Sequence, residues 1–311
     1  MSQAAHKPIV DVAVGVLLRA DGRVLLAERP IDKLSGGHWE FPGGKFEIGE
    51  VEVQALKREV YEEVGVEVDA AHPWLVYTHE YEDKIVRLHV YKVLAWHGTP
   101  RGEEKQRISW EDPAALSVAP FMEAHQPALD ALSLPSVVAT AEADGRGMSE
   151  ALMRLESSLG QGMQVVLLSE RNMVPSQFTQ FARRVVDRAR RYGAKVLVQG
   201  NTETALRASA DGIHVSAEHL RRMNVAPPFA VWSASCRDGA DLDKAASLGA
   251  AFATVPPTAA GDGAGFDWPE FQELIRASAI PVFAAGDMAR ADLDAAVQSG
   301  AHGIAVNSAF W

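Results

Sequence analysis

The chain has 311 residues, 47% of them apolar, which is enough for two domains with a core each. A formal net charge of -11 with no basic run argues against direct nucleic-acid binding or a membrane surface, because phosphate backbones are held by clustered Lys and Arg. The single cysteine, Cys236, excludes an internal disulfide framework and fits a reducing compartment.

In chain order, the opening MSQAAHKPIVDVAVGVLLRADG has no signal-type apolar run, since Asp11 interrupts it. No window reaches the roughly 20 apolar residues of a membrane span, so a soluble, cytoplasmic chain is expected. Two apolar runs between Ile9 and Ala27 flank Ala20-Asp21-Gly22, a hairpin signal of the Asp-Gly type. HPWLVYTHEYEDKIVRLHVYKVLAW repeats that arrangement around YEDK. The first third of the chain therefore reads as mostly antiparallel sheet with one helix, inside FPGGKFEIGEVEVQALKREVYEEVGVEV.

In that helix Val53, Leu56, Val60 and Val64 form one apolar stripe, and Gly65 is a C-terminal stop. Glu59, Glu62 and Glu63 crowd the arc beside the stripe, with Arg58 next to them. Like charges at this spacing repel by about 0.2–0.5 kcal/mol per pair. Two readings account for them: a solvated acidic face, or a cluster neutralised by a hard divalent cation such as Mg2+, which takes oxygen ligands and keeps phosphate oxygens in its shell. After LSLPSVV the rhythm changes. Short apolar runs at 137–140, 163–168, 195–198, 211–215, 229–234, 250–255, 280–284 and 302–306 alternate with amphipathic segments such as SQFTQFARRVVDRARRYG. Eight strands with interposed helices predict a parallel α/β domain closed into a barrel.

The spacing around the acidic helix separates the two readings. Gly44, Glu50, Arg58-Glu59-Val60, Glu62-Glu63 and Gly65-Val66 stand at every fixed position of a 23-residue box, and here the chain resembles the Nudix hydrolase family. The resemblance implies that residues 1–132 form an α/β/α sandwich with a mixed sheet, bind Mg2+ or Mn2+, and cut a nucleoside diphosphate linked to another group. It makes Glu59, Glu62 and Glu63 metal ligands, adds the Gly43 carbonyl, and has Arg58 orient the carboxylates. Gly43 and Gly44, lacking Cβ, let the backbone approach metal and phosphate. A carboxylate must also act as base, and the sequence leaves open which one. Glu104, in GTPRGEEKQRISW, falls where MutT-type relatives place another metal-binding glutamate.

WEFPGGK and the length of this segment narrow the resemblance to the MutT branch, the 8-oxo-dGTP diphosphatases, which release a monophosphate and pyrophosphate. In that branch Phe41 would pack the purine and Arg29 would hold phosphate or the nucleotide. His125 stands where those enzymes read the purine edge with an Asn. A small-molecule nucleotide is the expected partner, with a pyrimidine or thiamine-type diphosphate as the alternative substrate; oligomeric state is not legible.

Across about residues 135–311, ASADGIHVSAEHL, AIPVFAAGDM and GAHGIAVNSAFW resemble the thiamine phosphate synthase and TenI group, which implies a (β/α)8 TIM-type barrel with a phosphate site near the last two strands. Several family residues are absent. The Asn-Asp pair after the third strand is Asn201-Thr202, the acid after GIHVSAE is His219, Asp287 replaces a phosphate-loop Gly, and the substrate run after the second strand is LLSERN. No lysine follows Lys244, so the Thr-Lys pyrophosphate run is missing too. The expectation is a binding or regulatory barrel rather than a synthase, with His214 and His219 in structural roles.

Overall fold

The computed structural model describes residues 7–142, 147–169, 173–256 and 267–307; of the LLSERN run, Glu170, Arg171 and Asn172 lie outside them. The chain divides into two compact units, Met1–Leu134 and Pro135–Trp311.

The first unit holds strands β1 (Ile9–Leu17), β2 (Val24–Glu28), β3 (Trp39–Glu40), β4 (Gly43–Lys45), β5 (Glu67–Glu80), β6 (Ile85–His97) and β7 (Ile108–Glu111). Helix α1 (Glu52–Val64) follows β4, and α2 (Gln126–Leu132) closes the unit. One sheet runs β4-β1-β6-β5 and a second β3-β2-β7. β1 and β6 are parallel, from Ile9 opposite Ile85 to Leu17 opposite Val93, whereas β4 and β5 flank them antiparallel. The first sheet is therefore mixed, as the resemblance implies, while β1–β6 is, among the described residues, the one parallel pair of a unit that is otherwise antiparallel, as the strand pattern predicts. The Asp-Gly turn forms, with Gly22 at φ 82°, but β1 and β2 share only an isolated Leu18–Val24 bridge. Both edges of β1 are occupied by β4 and β6, so β2 leaves for the other sheet.

Strand alternation places successive side chains on opposite faces. Ala13 and Leu17 of β1, with Tyr91 and Val93 of β6, pack on Leu56, Val60 and Val64 of α1. Val12, Val86 and Leu88 face the other side, where they line a cleft. The helical stripe needs one correction: Val53 is 37% exposed and Ala55 fully buried. Val53 lies about 20° from Val60 around the helix, but in the first turn, where it does not reach the core. Gly65 ends α1 in the left-handed conformation, φ 68°, its N–H on the Tyr61 carbonyl.

The second unit alternates strand and helix: β8 (Val137–Ala141), α3 (Met148–Gly160), β9 (Val165–Leu168), α4 (Pro175–Arg191), β10 (Lys195–Gln199), α5 (Thr202–Arg207), β11 (Gly212–Val215) and α6 (Ala217–Arg222). It continues with β12 (Val231–Ser235), α7 (Gly239–Ser247), β13 (Phe252–Val255), α8 (Trp268–Ile275), β14 (Val282–Met288), α9 (Leu293–Gln298) and β15 (Gly303–Asn307). All eight strands pair in parallel and close into a barrel through β15–β8, Ile304 opposite Val137. Every apolar run expected to be a strand is one. α4 shows why its segment is helical: Phe178, Phe181, Ala182, Val185, Val186 and Ala189 fall on one buried face. Among the described residues no helix is long and apolar enough to cross a membrane.

Candidate active site

The loop between β4 and α1 folds back on the helix through one arginine. Arg58 donates Nε and Nη2 to the two carboxylate oxygens of Glu50 at 2.7 and 2.8 Å, a fork that only guanidinium geometry supplies. Its Nη1 reaches Glu59 at 2.9 Å and Glu62 at 3.2 Å, and Nη2 also donates to the Lys45 carbonyl at 3.0 Å. One side chain thereby ties the strand, the loop and two helix carboxylates together. Glu50 also accepts the Glu47 N–H at 2.8 Å, and these bonds hold its carboxyl down at about 2.

Glu63 is held differently. Its carboxylate accepts the backbone N–H of Gly43 at 3.0 Å, and burial pushes it up to about 8 in spite of that bond. The negative charges of Glu40, Glu59 and Glu104 act in the same direction. Glu59 is raised as well, by burial first, with Arg58 opposing. Glu62 is the exposed member, its side chain 56% accessible. Gly44 explains itself in this geometry: a Cβ would stand 2.2 Å from the Glu59 carboxylate. A Cβ on Gly43 would stand 2.1 Å from the Ala13 carbonyl of β1.

These groups fit a divalent cation in donor chemistry. They are hard oxygens, two are desolvated and repelled by neighbouring carboxylates, and a cation would relieve that repulsion. They are not a closed cage as they stand. Among the described residues no three acid, His or Cys groups are gathered at metal-binding range, because Arg58 draws Glu59 and Glu62 while the Gly43 N–H holds Glu63.

Beside them opens a cleft of about 270 Å3 whose lining includes Arg29, Glu40, Gly43, Gly44, Lys84 and His125. Arg29 is anchored by Nη1 on Glu40 at 2.9 Å and by Nε on the Leu34 carbonyl at 2.6 Å. Glu40 is buried, and that burial raises its carboxyl although Arg29 counters it. His125 accepts the Phe41 N–H on Nδ1 at 3.1 Å, and burial pushes its ring down to about 3.

Of the residues singled out in the sequence, Arg29, Gly43, Gly44 and His125 meet at the cleft, and Arg58, Glu59, Glu62 and Glu63 form the connected group on α1. Phe41 is a correction. Its ring is fully buried, edge-on to Phe121 at 5.8 Å and stacked with His125 at 6.0 Å, so it is core rather than a platform for a purine. Glu104 pairs with Lys33 at 2.6 Å; it adds to the field on Glu63 without joining the helix carboxylates. Glu40, Lys45, Tyr81 and Lys84 of the lining were missed. Glu40 had a signal, an acid inside an apolar-aromatic run, WEF, where a buried charge needs a partner.

In the barrel, His214 lies between Ser233 at 2.8 Å and Ser235 at 2.9 Å, buried and pushed down to about 4, which suits a structural role. Asn201 spends its side-chain carbonyl capping α5, on the Thr204 N–H at 2.8 Å. His219, Thr202 and Arg222 border a second hollow of about 360 Å3.

A carboxylate-bearing helix clamped by arginine onto a Gly-Gly strand, in one unit, and an eight-stranded parallel barrel in the other, define a hydrolase-type domain joined to a TIM-type domain. The chain belongs to the Nudix family through residues 13–131, which match the NUDIX domain, and to the thiamine monophosphate synthase family through residues 136–310. It is 36% identical over 118 residues to the CTP pyrophosphohydrolase of Escherichia coli (strain K12), covering 38% of this chain and 87% of that protein. It is 36% identical over 119 residues to the 8-oxo-dGTP diphosphatase of Haemophilus influenzae, covering 38% of this chain and 88% of that one. A Geobacter sulfurreducens protein provisionally named a thiamine-phosphate synthase is 28% identical over 178 residues, 54% of this chain and 81% of its own length.

Proposed function

We propose that the first unit is a divalent-metal-dependent nucleotide diphosphatase that converts a nucleoside triphosphate to the monophosphate and pyrophosphate, with 8-oxo-dGTP as its substrate. The observation that carries this is the Arg58-centred group on α1, set against Gly43 and Gly44 at the edge of a cleft that also holds Arg29 and Lys84. Glu59, Glu62, Glu63 and the Gly43 carbonyl are the residues to hold Mg2+ or Mn2+; Glu104 would have to leave Lys33 to join them. When bound, the cation neutralises charge on the phosphoryl oxygens. Arg58 fixes the carboxylates, Arg29 and Lys84 offer positive charge to the phosphate chain, and one carboxylate of the site takes a proton from the attacking water.

The CTP pyrophosphohydrolase relative supports a second reading, in which a pyrimidine nucleotide is the substrate. For the barrel we propose binding or regulation rather than synthesis, since Thr202 and His219 replace the family's acids and Asn201 is occupied as a helix cap. We place the boundary at residues 132–135. The test is product analysis by chromatography and phosphorus NMR, with Mg2+, on 8-oxo-dGTP, dGTP, CTP and thiamine diphosphate. Monophosphate with pyrophosphate from 8-oxo-dGTP is expected. Orthophosphate alone, or no turnover of any nucleotide, would contradict the proposal.

A further inference from the structure

Lys33 stands where the rim of the cleft meets the carboxylates. The turn that carries it is closed by two main-chain bonds of 3.0 Å, the Lys33 N–H on the Pro30 carbonyl and the Gly36 N–H on the Lys33 carbonyl, and the next two residues, Leu34 and Ser35, line the cleft. Its partner is Glu104, whose main chain is fastened to the last turn of α1. Gln106 accepts the Glu104 N–H at 2.8 Å and donates Nε2 to the Glu63 carbonyl at 2.8 Å, and that carbonyl also accepts the Glu103 N–H at 3.0 Å. Glu104 is thereby kept near Glu63, and its charge helps to raise the Glu63 carboxyl. Its own carboxylate is taken by Lys33 Nζ at 2.6 Å. That bond leads in raising the Lys33 ammonium above its ordinary value, burial opposes it, and the charges of Glu104 and then Glu63 add to the rise. The pair is open to water, its side chains 42% and 40% accessible, so it exchanges partners at little cost.

We infer that Lys33 is a counter-cation built into the chain: its ammonium neutralises the Glu63–Glu104 edge of the metal-free site, a divalent cation displaces it, and the pair thereby sets the metal affinity. The inference rests on the metal-binding reading above and deepens it to a regulation of that site. A dication drawn to the α1 carboxylates meets an ammonium that already holds one neighbouring carboxylate and feels another. Like charges in that space repel, and a dication attracts the same oxygens more strongly than a single charge does. An exposed ammonium–carboxylate pair is weak, so it is the ammonium that yields. Its departure also unfastens the Lys33 turn from the loop of Glu104, so metal binding loosens the rim of the cleft. A pair kept only to brace that turn would, when removed, leave the metal affinity as it is or lower it, which separates the two roles.

The test titrates the full chain with Mn2+, free Mn2+ being read by electron paramagnetic resonance, so that binding is measured without turnover. Lys33→Met is expected to tighten Mn2+ binding by roughly fivefold, the upper end of what an exposed ion pair supplies. Lys33→Arg, which keeps the charge, is expected to stay within about twofold of the wild type. In a Glu104→Gln background the gain from Lys33→Met is expected to shrink below about twofold, because the two residues act as one pair. Hydrogen exchange of the wild-type chain needs no variant: the amides of residues 30–37 are expected to exchange faster when Mg2+ saturates. Unchanged or weaker Mn2+ binding in Lys33→Met, an undiminished gain in the Glu104→Gln background, or amides that Mg2+ leaves unchanged or slows, would overturn the inference. No Mn2+ binding to any of these proteins would instead overturn the metal-binding reading, and this inference with it.

Discussion

Glu63 carries a conflict that a cation would resolve: a carboxyl pushed from 4.5 to about 8 by burial, with three other carboxylates adding to the effect. The folded, metal-free chain therefore binds a proton that the unfolded chain releases, so its stability falls as pH rises from about 4.5 through about 8. A divalent cation competes for the same oxygens and binds better as the proton leaves. Mg2+ should then raise the melting temperature more at pH 8 than at pH 5, and Glu63→Gln should remove most of that difference. Equal shifts at both pH values, measured against a chelated control, would contradict the placement of Glu63. The box residues were legible because each stands at a fixed interval along one helix and its loop. Phe41 was not, because a motif position says which residue is present and not which way its ring is packed. The Arg29–Glu40 pair was hidden for another reason: it joins the residue that follows β2 to β3, and no local window shows the register of those strands.

At the scale of elements, the first turn of α1 is fastened to the sheet by a polar cluster that no motif announces. Asp11 on β1 receives both Arg87 Nε at 2.6 Å and Arg87 Nη2 at 3.0 Å, and lies 2.8 Å from His89 Nε2. His89 Nδ1 is 3.3 Å from Glu52, the first residue of α1, and the Tyr91 hydroxyl donates to the same carboxylate at 2.7 Å. Arg87, His89 and Tyr91 alternate along β6 and so share a face. The Arg87 hydrogen bonds lead in holding Asp11 at about 2, below its ordinary 3.8. A depressed carboxyl contributes stability that is complete above pH 3.8 and lost as pH falls through about 2. Asp11→Asn should flatten the acid limb of the stability curve in that window and cost about 1 kcal/mol at neutral pH after solvent screening. An unchanged acid limb in urea titrations would sink this account of the cluster. In the sequence, Asp11 registered only as a break in an apolar run, since its partners stand far away on β6. The eight barrel strands were legible for the opposite reason: a parallel strand buried on both faces is a continuous apolar run.

At the scale of the whole molecule, the described residues of each unit build a core of their own, one on α1 with β1 and β6, the other between the barrel strands and the helices that surround them. Units with separate cores fold separately when the join is short and exposed. A truncated chain ending at Leu134 should therefore keep its metal-dependent hydrolysis within about threefold of the full chain; a folded but inactive fragment would mean that the barrel supplies part of the site. On this account the α1 carboxylates carry the hydrolytic chemistry of the first unit. The most direct measurement of it is kcat/KM for 8-oxo-dGTP with saturating Mg2+ in the full-length wild type, Glu59→Gln and Glu63→Gln, each checked by circular dichroism. A fall of about 100-fold or more in both variants, with the fold retained, is the result expected when a ligand charge is removed. Activity within about threefold of wild type in either folded variant would contradict the claim.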